Sequence, residues 1–144
     1  AAALVLARES TARERGWLND QNPIARIVGH STHAAKPTRF TTAPVGAVQK
    51  LFAKTGWTDA DVDLYEINEA FAVVTLIAMR ELGLSHDKVN VHGGACAMGH
   101  PIGATGARIL VTLIHALRQR GGKRGVASLC IGGGEATAMA VELL

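Results

Sequence analysis

The sequence predicts a three-layer α/β/α domain built on a mostly parallel sheet, and three observations carry that prediction. Apolar runs of strand length alternate with longer runs at helical spacing, the pattern of a sheet covered on both faces. The 144 residues are 48% hydrophobic, enough for one core. A glycine triplet, Gly132-Gly133-Gly134, separates the last two apolar runs, so the final strand returns as an antiparallel hairpin partner. The expected sheet is mixed and five-stranded, with its last strand antiparallel.

Residues 1–7 read as the first strand, and 9–15 as a short charged helix stopped by Gly16. A turn over 19–23 leads to a second strand over 24–33, centred on Ile27 and Val28. Residues 36–42 read as an irregular loop. A helix then starts near Pro44, where Thr42 is placed to cap it and proline suits the first turn. Val45, Val48, Leu51 and Phe52 give that helix an apolar face, and Gly56 ends it. The third strand covers 62–67, and Asn68 reads as the cap of a helix reaching about residue 82. This helix is apolar nearly all round, which calls for burial in a domain centre or an interface. A short extended piece over 89–91 enters a glycine-rich loop. The longest helix starts at Pro101 or Ile102 and runs to about Arg120, with Gly121 and Gly122 closing it. The fourth and fifth strands cover 126–131 and 136–143. No repeat or low-complexity segment interrupts the chain, which reads as one domain over 1–144.

Composition narrows the function. Aromatic residues make up only 4%, so Ala, Val, Ile and Leu must build the core. The net charge of +3 is modest, and the cluster Arg118, Arg120, Lys123 and Arg124 sits where a helix end favours cations. Nucleic acid is not an expected partner; an anionic small molecule fits the charge as well. Two cysteines make no disulfide framework, which points to a reducing compartment such as the cytoplasm. The apolar stretch over 70–79 is too short for a membrane span and stops at Arg80.

Three short blocks carry the chemistry: Asn68-Glu69-Ala70-Phe71-Ala72, Gly99-His100-Pro101-Ile102-Gly103 and Cys130-Ile131-Gly132-Gly133-Gly134. An isolated Asn68 needs no role beyond helix capping. His100 stands in a loop with glycines at 93, 94, 99 and 103, where small residues let backbone approach a ligand closely. Cys130 closes a buried strand, ordinarily the place of a small hydrophobe, yet a wide glycine turn beside it can open its sulfur to a cleft. His92, Cys96 and His100 have a spacing that suggests metal ligands, but glycines break any helix that would align them and no fourth ligand is apparent, so no metal is expected. Cys96 reads as buried filler. The loop over 99–106 lacks the Lys-Ser/Thr of a phosphate loop, and Gly132 to Gly134 precede a strand, unlike a dinucleotide fingerprint.

Together, with Gly106-Ala107-Arg108 after the second block, these blocks resemble the C-terminal catalytic domain of a thiolase, over almost the whole chain. The resemblance implies acyl transfer between CoA thioesters, with coenzyme A thioesters as substrates and no separate cofactor. It makes His100 the base that activates a nucleophilic Cys, and Cys130 the acid/base at the α-carbon. Asn68 holds a water that completes one oxyanion hole with His100, and the Gly132 N–H contributes to a second. Ala70, Phe71 and Phe40 are expected near the acyl-CoA. Many thiolases carry Met where Phe40 stands, which leaves acyl-chain preference open. The chain opens without Met in an apolar run, and the nucleophilic Cys is expected in an N-terminal half outside it, a partner along with further copies in a dimer or tetramer. The alternatives are a ketoacyl synthase of the same fold, against which Cys130 argues, and a non-catalytic CoA-binding or oligomerisation domain.

Overall fold

In the computed structural model, which describes residues 1–18 and 25–144, the sheet has four strands. They are β1 (Ala25–Ala34), β2 (Leu64–Ile67), β3 (Arg124–Cys130) and β4 (Glu135–Leu143), in the order β1-β4-β3-β2. β2 and β3 run parallel, while β4 is antiparallel to both β3 and β1. The expected fold class, terminal hairpin and mixed character hold; the five strands and the mostly parallel pairing do not. Residues 1–7 pair with no strand among the described residues, and Val5 and Leu6 are 94% and 68% exposed. An apolar run becomes a strand only when a ladder partner satisfies its backbone, and here none is present. Residues 89–91 touch β2 through a single bridge between Tyr65 and Val89. The turn expected over 19–23, and Ile24, lie outside the described residues.

Alternation along the strands sorts side chains to two faces. Tyr65, Ile67 and Val126 point to one face, where α2 (Ala43–Thr55) and α3 (Ala72–Leu82) cover them with Val48, Leu51 and Val74. Leu64, Ala127 and Val141 point to the other and pack on Ile109, Leu113 and Leu117 of α5 (Thr105–Arg120). Glu66 falls between Tyr65 and Ile67 and therefore faces α5. The short helix α1 (Glu9–Glu14) precedes β1, and Gly16 after it takes a φ of 67°. The segment before and around α1 leaves an open groove of about 1240 Å³ lined by Leu4, Leu6, Trp17, Leu110, Ile114 and Met139, among others.

One helix starts where expected and one does not. α2 begins at Ala43 with Thr42 in the cap position, but the Thr42 hydroxyl makes no capping bond; it donates to the Arg39 carbonyl at 2.9 Å, within a 3-10 turn over Pro37–Thr42 that replaces the expected irregular loop. Asn68 does not cap α3, which begins at Ala72 after an extended Phe71. Nor is α3 buried all round. Val74, Thr75 and Ala78 are covered, but Phe71 just before it and Val73 and Leu76 on it remain 59%, 45% and 59% exposed, so its apolar outer face has no cover among the described residues. A further short helix, α4 (Ala95–Met98), occupies the glycine-rich loop before His100.

Candidate active site

The parallel pairing of β2 and β3 brings two of the sequence blocks to one edge of the sheet. Ile67 lies opposite Ser128, and the Asn68 N–H donates to the Ser128 carbonyl at 2.9 Å. Asn68 and Cys130 thus stand at the carboxyl ends of adjacent parallel strands, the place where open α/β sheets bind ligands. Asn68 is 1% exposed. Freed from capping, its side-chain amide reaches the His100 loop instead.

His100 precedes the first turn of α5 and is exposed. Its Nε2 lies 3.4 Å from Asn68 Nδ2, and its Nδ1 lies 2.6 Å from Thr105 Oγ1. The Thr105 hydroxyl donates to the Pro101 carbonyl at 3.1 Å, so one helical turn holds the ring from behind. On the other side of Asn68, Arg108 Nη2 donates to Asn68 Oδ1 at 3.5 Å, and Arg108 Nη1 donates to Glu66 Oε2 at 3.3 Å. These are long contacts, as catalytic hydrogen bonds often are in ligand-free proteins.

Glu66 is 2% exposed, and its Oε1 has no partner. Burial pushes its carboxyl up to about 7, against the pull of the Arg108 guanidinium. Its neighbour Glu69 behaves oppositely. Burial pushes Glu69 up, but the Cys96 N–H and the Asn90 amide outweigh burial and hold its carboxyl below the ordinary range.

Glu69 ties the Asn68 block to the loop that carries His100. Its Oε2 accepts from the Cys96 N–H at 3.0 Å and its Oε1 from Asn90 Nδ2 at 3.1 Å. Asn90 also brackets Ile67, accepting from its N–H and donating to its carbonyl, both at 2.8 Å. Asn90 has a φ of 48°, a conformation asparagine tolerates better than most residues. Gly94 is required here, because a Cβ would lie 2.6 Å from the Glu69 carboxyl carbon.

The Cys130 end is built from backbone. After Cys130 the chain turns through Gly132-Gly133-Gly134, closed by the Ile131 N–H donating to the Glu135 carbonyl at 2.7 Å. Gly134 has a φ of 104°, and a Cβ there would sit 2.4 Å from the Ala35 carbonyl oxygen. Gly132 has open space beside it. Cys130 is 9% exposed, and burial pushes its thiol up.

With this geometry in place, comparison with known proteins is direct. A family model described as "Thiolase, C-terminal domain" matches residues 21–143. The chain belongs to the thiolase family. It is 52% identical over 142 residues to the cytosolic acetyl-CoA acetyltransferase of Mus musculus, covering 99% of this chain and 35% of the relative. Its fold matches the crystal structure of Bacillus anthracis acetyl-CoA acetyltransferase with a TM-score of 0.89 and 47% identity, over 94% of this chain and 34% of that one. It also matches the Ascaris suum thiolase Acat5 in complex with coenzyme A, with a TM-score of 0.88 and 42% identity, over 96% and 34%. The chain thus spans about a third of the length of the curated relatives it matches.

This thiolase domain unites Asn68 and His100 directly, and the β2–β3 pairing sets Cys130 and Gly132 at the same sheet edge. Phe71 stands on the connection after Asn68, 59% exposed, and the half-buried Phe40 meets it edge-on with ring centroids 6.0 Å apart. Ala70 is partly buried and packs on the core beside them. Cys96 is exposed rather than buried filler, since the residue supplies its N–H to Glu69 and leaves its side chain outside. Among the described residues, no group of three or more His, Cys, Asp or Glu is placed to hold a metal ion. The sequence motifs missed Thr105, Glu66 and Asn90 as parts of the site, and gave Glu69 and Arg108, which they contain, no task. The available signal was Glu66, a carboxylate in the middle of an apolar strand.

Proposed function

We propose that the protein carrying this domain transfers an acetyl or other acyl group between CoA thioesters. The observation that supports this most is the approach of Asn68 to His100 at the sheet edge where Cys130 and Gly132 also end. CoA thioesters are the substrates, and no separate cofactor takes part. An upstream thiolase half supplies the nucleophilic Cys; the relatives, about three times as long as this chain, leave room for it.

His100 Nε2 accepts the proton of that Cys as its sulfur attacks the thioester carbonyl. The carbon–sulfur bond to CoA then breaks, and the imidazolium returns the proton to the departing CoA thiolate. His100 and a water held by Asn68 stabilise the charge on the thioester oxygen. In the second half-reaction Cys130, once its thiol proton has passed to solvent, removes an α-proton from another acetyl-CoA as the thiolate. The carbanion attacks the acyl-enzyme carbonyl, and the enzyme's Cys sulfur leaves and takes the proton back from Cys130. The Gly132 N–H steadies the enolate oxygen. Burial that raises the Cys130 thiol suits this task, because the same shift makes its thiolate a stronger base. Thiolysis runs these steps in reverse. Ala70, Phe71 and Phe40 line the approach of the acyl-CoA.

The exposed face of α3 and the groove beside α1 provide apolar surface for the upstream half and for further copies in a dimer or tetramer. The mouse relative is named cytosolic, which supports a cytoplasmic location; no described helix is long and apolar enough to cross a membrane. Cleavage of acetoacetyl-CoA by CoA, measured for the full-length protein and for the 144-residue chain, tests the reading. Turnover is expected only in the full-length protein. Turnover by the chain alone would move the nucleophile's role to Cys96 or Cys130; none in either would overturn the proposal.

A further inference from the structure

We propose that Arg108 and Glu66 are positioning residues that decide which ring nitrogen of His100 is free to accept a proton, acting through the side-chain amide of Asn68. The proposal rests on the reading of His100 as the base. It starts from an asymmetry of donors. A guanidinium has five N–H donors and no acceptor, so the Asn68 atom facing Arg108 must be the carbonyl oxygen. That fixes the amide's orientation and turns Asn68 Nδ2, a pure donor, towards His100 Nε2 at 3.4 Å. Nε2 can meet a donor only with its lone pair. The ring proton therefore resides on Nδ1, where Thr105 Oγ1 accepts it at 2.6 Å while spending its own hydrogen on the Pro101 carbonyl. Every joint in the series from Arg108 to Pro101 points the same way, and its result is an imidazole that carries its proton on Nδ1 and presents a lone pair at Nε2.

Glu66 supplies the fixed end. Arg108 has four free torsions before its guanidinium and would not choose the Asn68 oxygen unaided; the Glu66 carboxylate, 2% exposed on a four-residue strand buried throughout, holds the guanidinium's other edge at 3.3 Å. Stability does not explain this pair well. An enclosed ion pair roughly breaks even against apolar side chains of the same volume, and here one carboxylate oxygen is left with no partner at all. A pair that gains little stability but aims a guanidinium at a single amide oxygen is accounted for by the aim.

The experiment labels histidine with ¹⁵N in the full-length protein, assigns His100 with His100→Gln, and reads its tautomer from the two ring-nitrogen shifts. The variants are Arg108→Met, Arg108→Lys and Glu66→Gln, each also assayed for acetoacetyl-CoA cleavage. Wild type is expected to show a protonated Nδ1 and an unprotonated Nε2. Arg108→Met should mix the tautomers and lower kcat on the order of 10²-fold with little change in KM, as misplacement of a catalytic group does. Arg108→Lys, which keeps a donor-only head, should recover the wild-type tautomer and most of kcat. Glu66→Gln, which retains one acceptor oxygen, should fall between the two. Unchanged ring-nitrogen shifts in Arg108→Met would overturn the proposal, even with lower activity, since the pair would then be only a packing element. If that variant fails to fold, the test passes to Glu66→Gln, where a wild-type tautomer ratio and wild-type kcat would overturn it. Wild type without cleavage activity would refute the proposed function, while the ring-nitrogen shifts would still decide the positioning.

Discussion

The two ends of the site are held by different means. At the Asn68–His100 end, every joint is a side chain: Glu66 holds Arg108, Arg108 and His100 flank Asn68, Thr105 backs His100, and Glu69 with Asn90 clamps the loops together. At the Cys130–Gly132 end, backbone does the work, through a strand terminus and a hairpin whose glycine fits against the Ala35 carbonyl. Side-chain networks fix orientation and protonation state, which a base needs. Backbone turns fix position without adding titratable groups, which suits a buried thiol and a fixed N–H donor. The two ends should therefore fail differently.

The largest effects should come from removing the proposed acid/base groups from the full-length protein. Positioned acid/base groups are worth roughly 10²–10⁴-fold, and losses of that size are expected for His100→Ala and Cys130→Ser in acetoacetyl-CoA cleavage. The step that fails should differ. His100→Ala should not be acylated by acetyl-CoA, whereas Cys130→Ser should still accept the acetyl group but exchange the α-protons with solvent very slowly. Burst acylation at the wild-type rate in His100→Ala, or wild-type proton exchange in Cys130→Ser, would erase the difference between the ends.

Next comes the pH dependence between about 4.5 and 7, which belongs to the side-chain end. Burial raises the carboxyl of Glu66 from its ordinary 4.5 to about 7 in the folded protein. Between those values the folded state binds the proton more readily than the unfolded state, so Glu66 contributes stability that is complete below about 4.5 and lost as pH rises through about 7. The full excursion is on the order of 3 kcal/mol. Glu69, held low, acts with the opposite sign and only in more acidic solution. Denaturant unfolding at pH 4.5 and 8 should show wild type losing stability relative to Glu66→Gln across this window. Parallel pH curves for the two proteins would mean that Glu66 is charged throughout.

Gly134→Ala probes the backbone end. The substitution places a Cβ against the Ala35 carbonyl at a φ of 104°, where strain costs roughly 1–3 kcal/mol. We expect about 2 kcal/mol of destabilisation, an unchanged pH dependence, and loss of α-proton exchange ahead of acylation. Equal damage to both half-reactions would show the hairpin and the His100 loop to be one mechanical unit.

How much of this was legible follows from the range of each interaction. Helix α5, its glycine C-cap and the terminal hairpin are written in local spacing and turn residues, and the structure returns them within a few residues. The convergence of Asn68 with His100, 32 residues apart, followed from matching a known family, since no local pattern encodes it. The Glu66–Arg108 pair spans 42 residues, and neither residue carries the other's address. Residues 1–7 show the opposite failure, because an apolar strand signal is correct only where a partner strand exists. The start of α3 was misplaced for a chemical reason. Asn68 is a good capping residue, but its amide is engaged by Arg108 and His100, and the helix begins four residues later without a side-chain cap.

The smallest effect is expected at Phe40, which we propose lines the approach of the acyl-CoA. Phe40 lies in the turn before α2, packs on the core and makes a T-shaped contact with Phe71, which belongs to the Asn68 block. Its flat ring should narrow the space around short acyl groups without touching the acid/base chemistry. Pocket shape of this kind changes selectivity by about 1–3 kcal/mol for a methylene-sized difference. Phe40 acts partly through Phe71, so the lower end, about 1 kcal/mol, is expected. The full-length protein should prefer acetoacetyl-CoA, and Phe40→Met or Phe40→Ala should relax the kcat/KM ratio of C4 over C6 substrates about fivefold, with acylation by acetyl-CoA unchanged. An unchanged ratio would leave Phe40 as an anchor that holds Phe71 and the turn before α2 in place. Damage to acylation instead would show that the Phe40–Phe71 contact supports the Asn68 end of the site and not the acyl pocket.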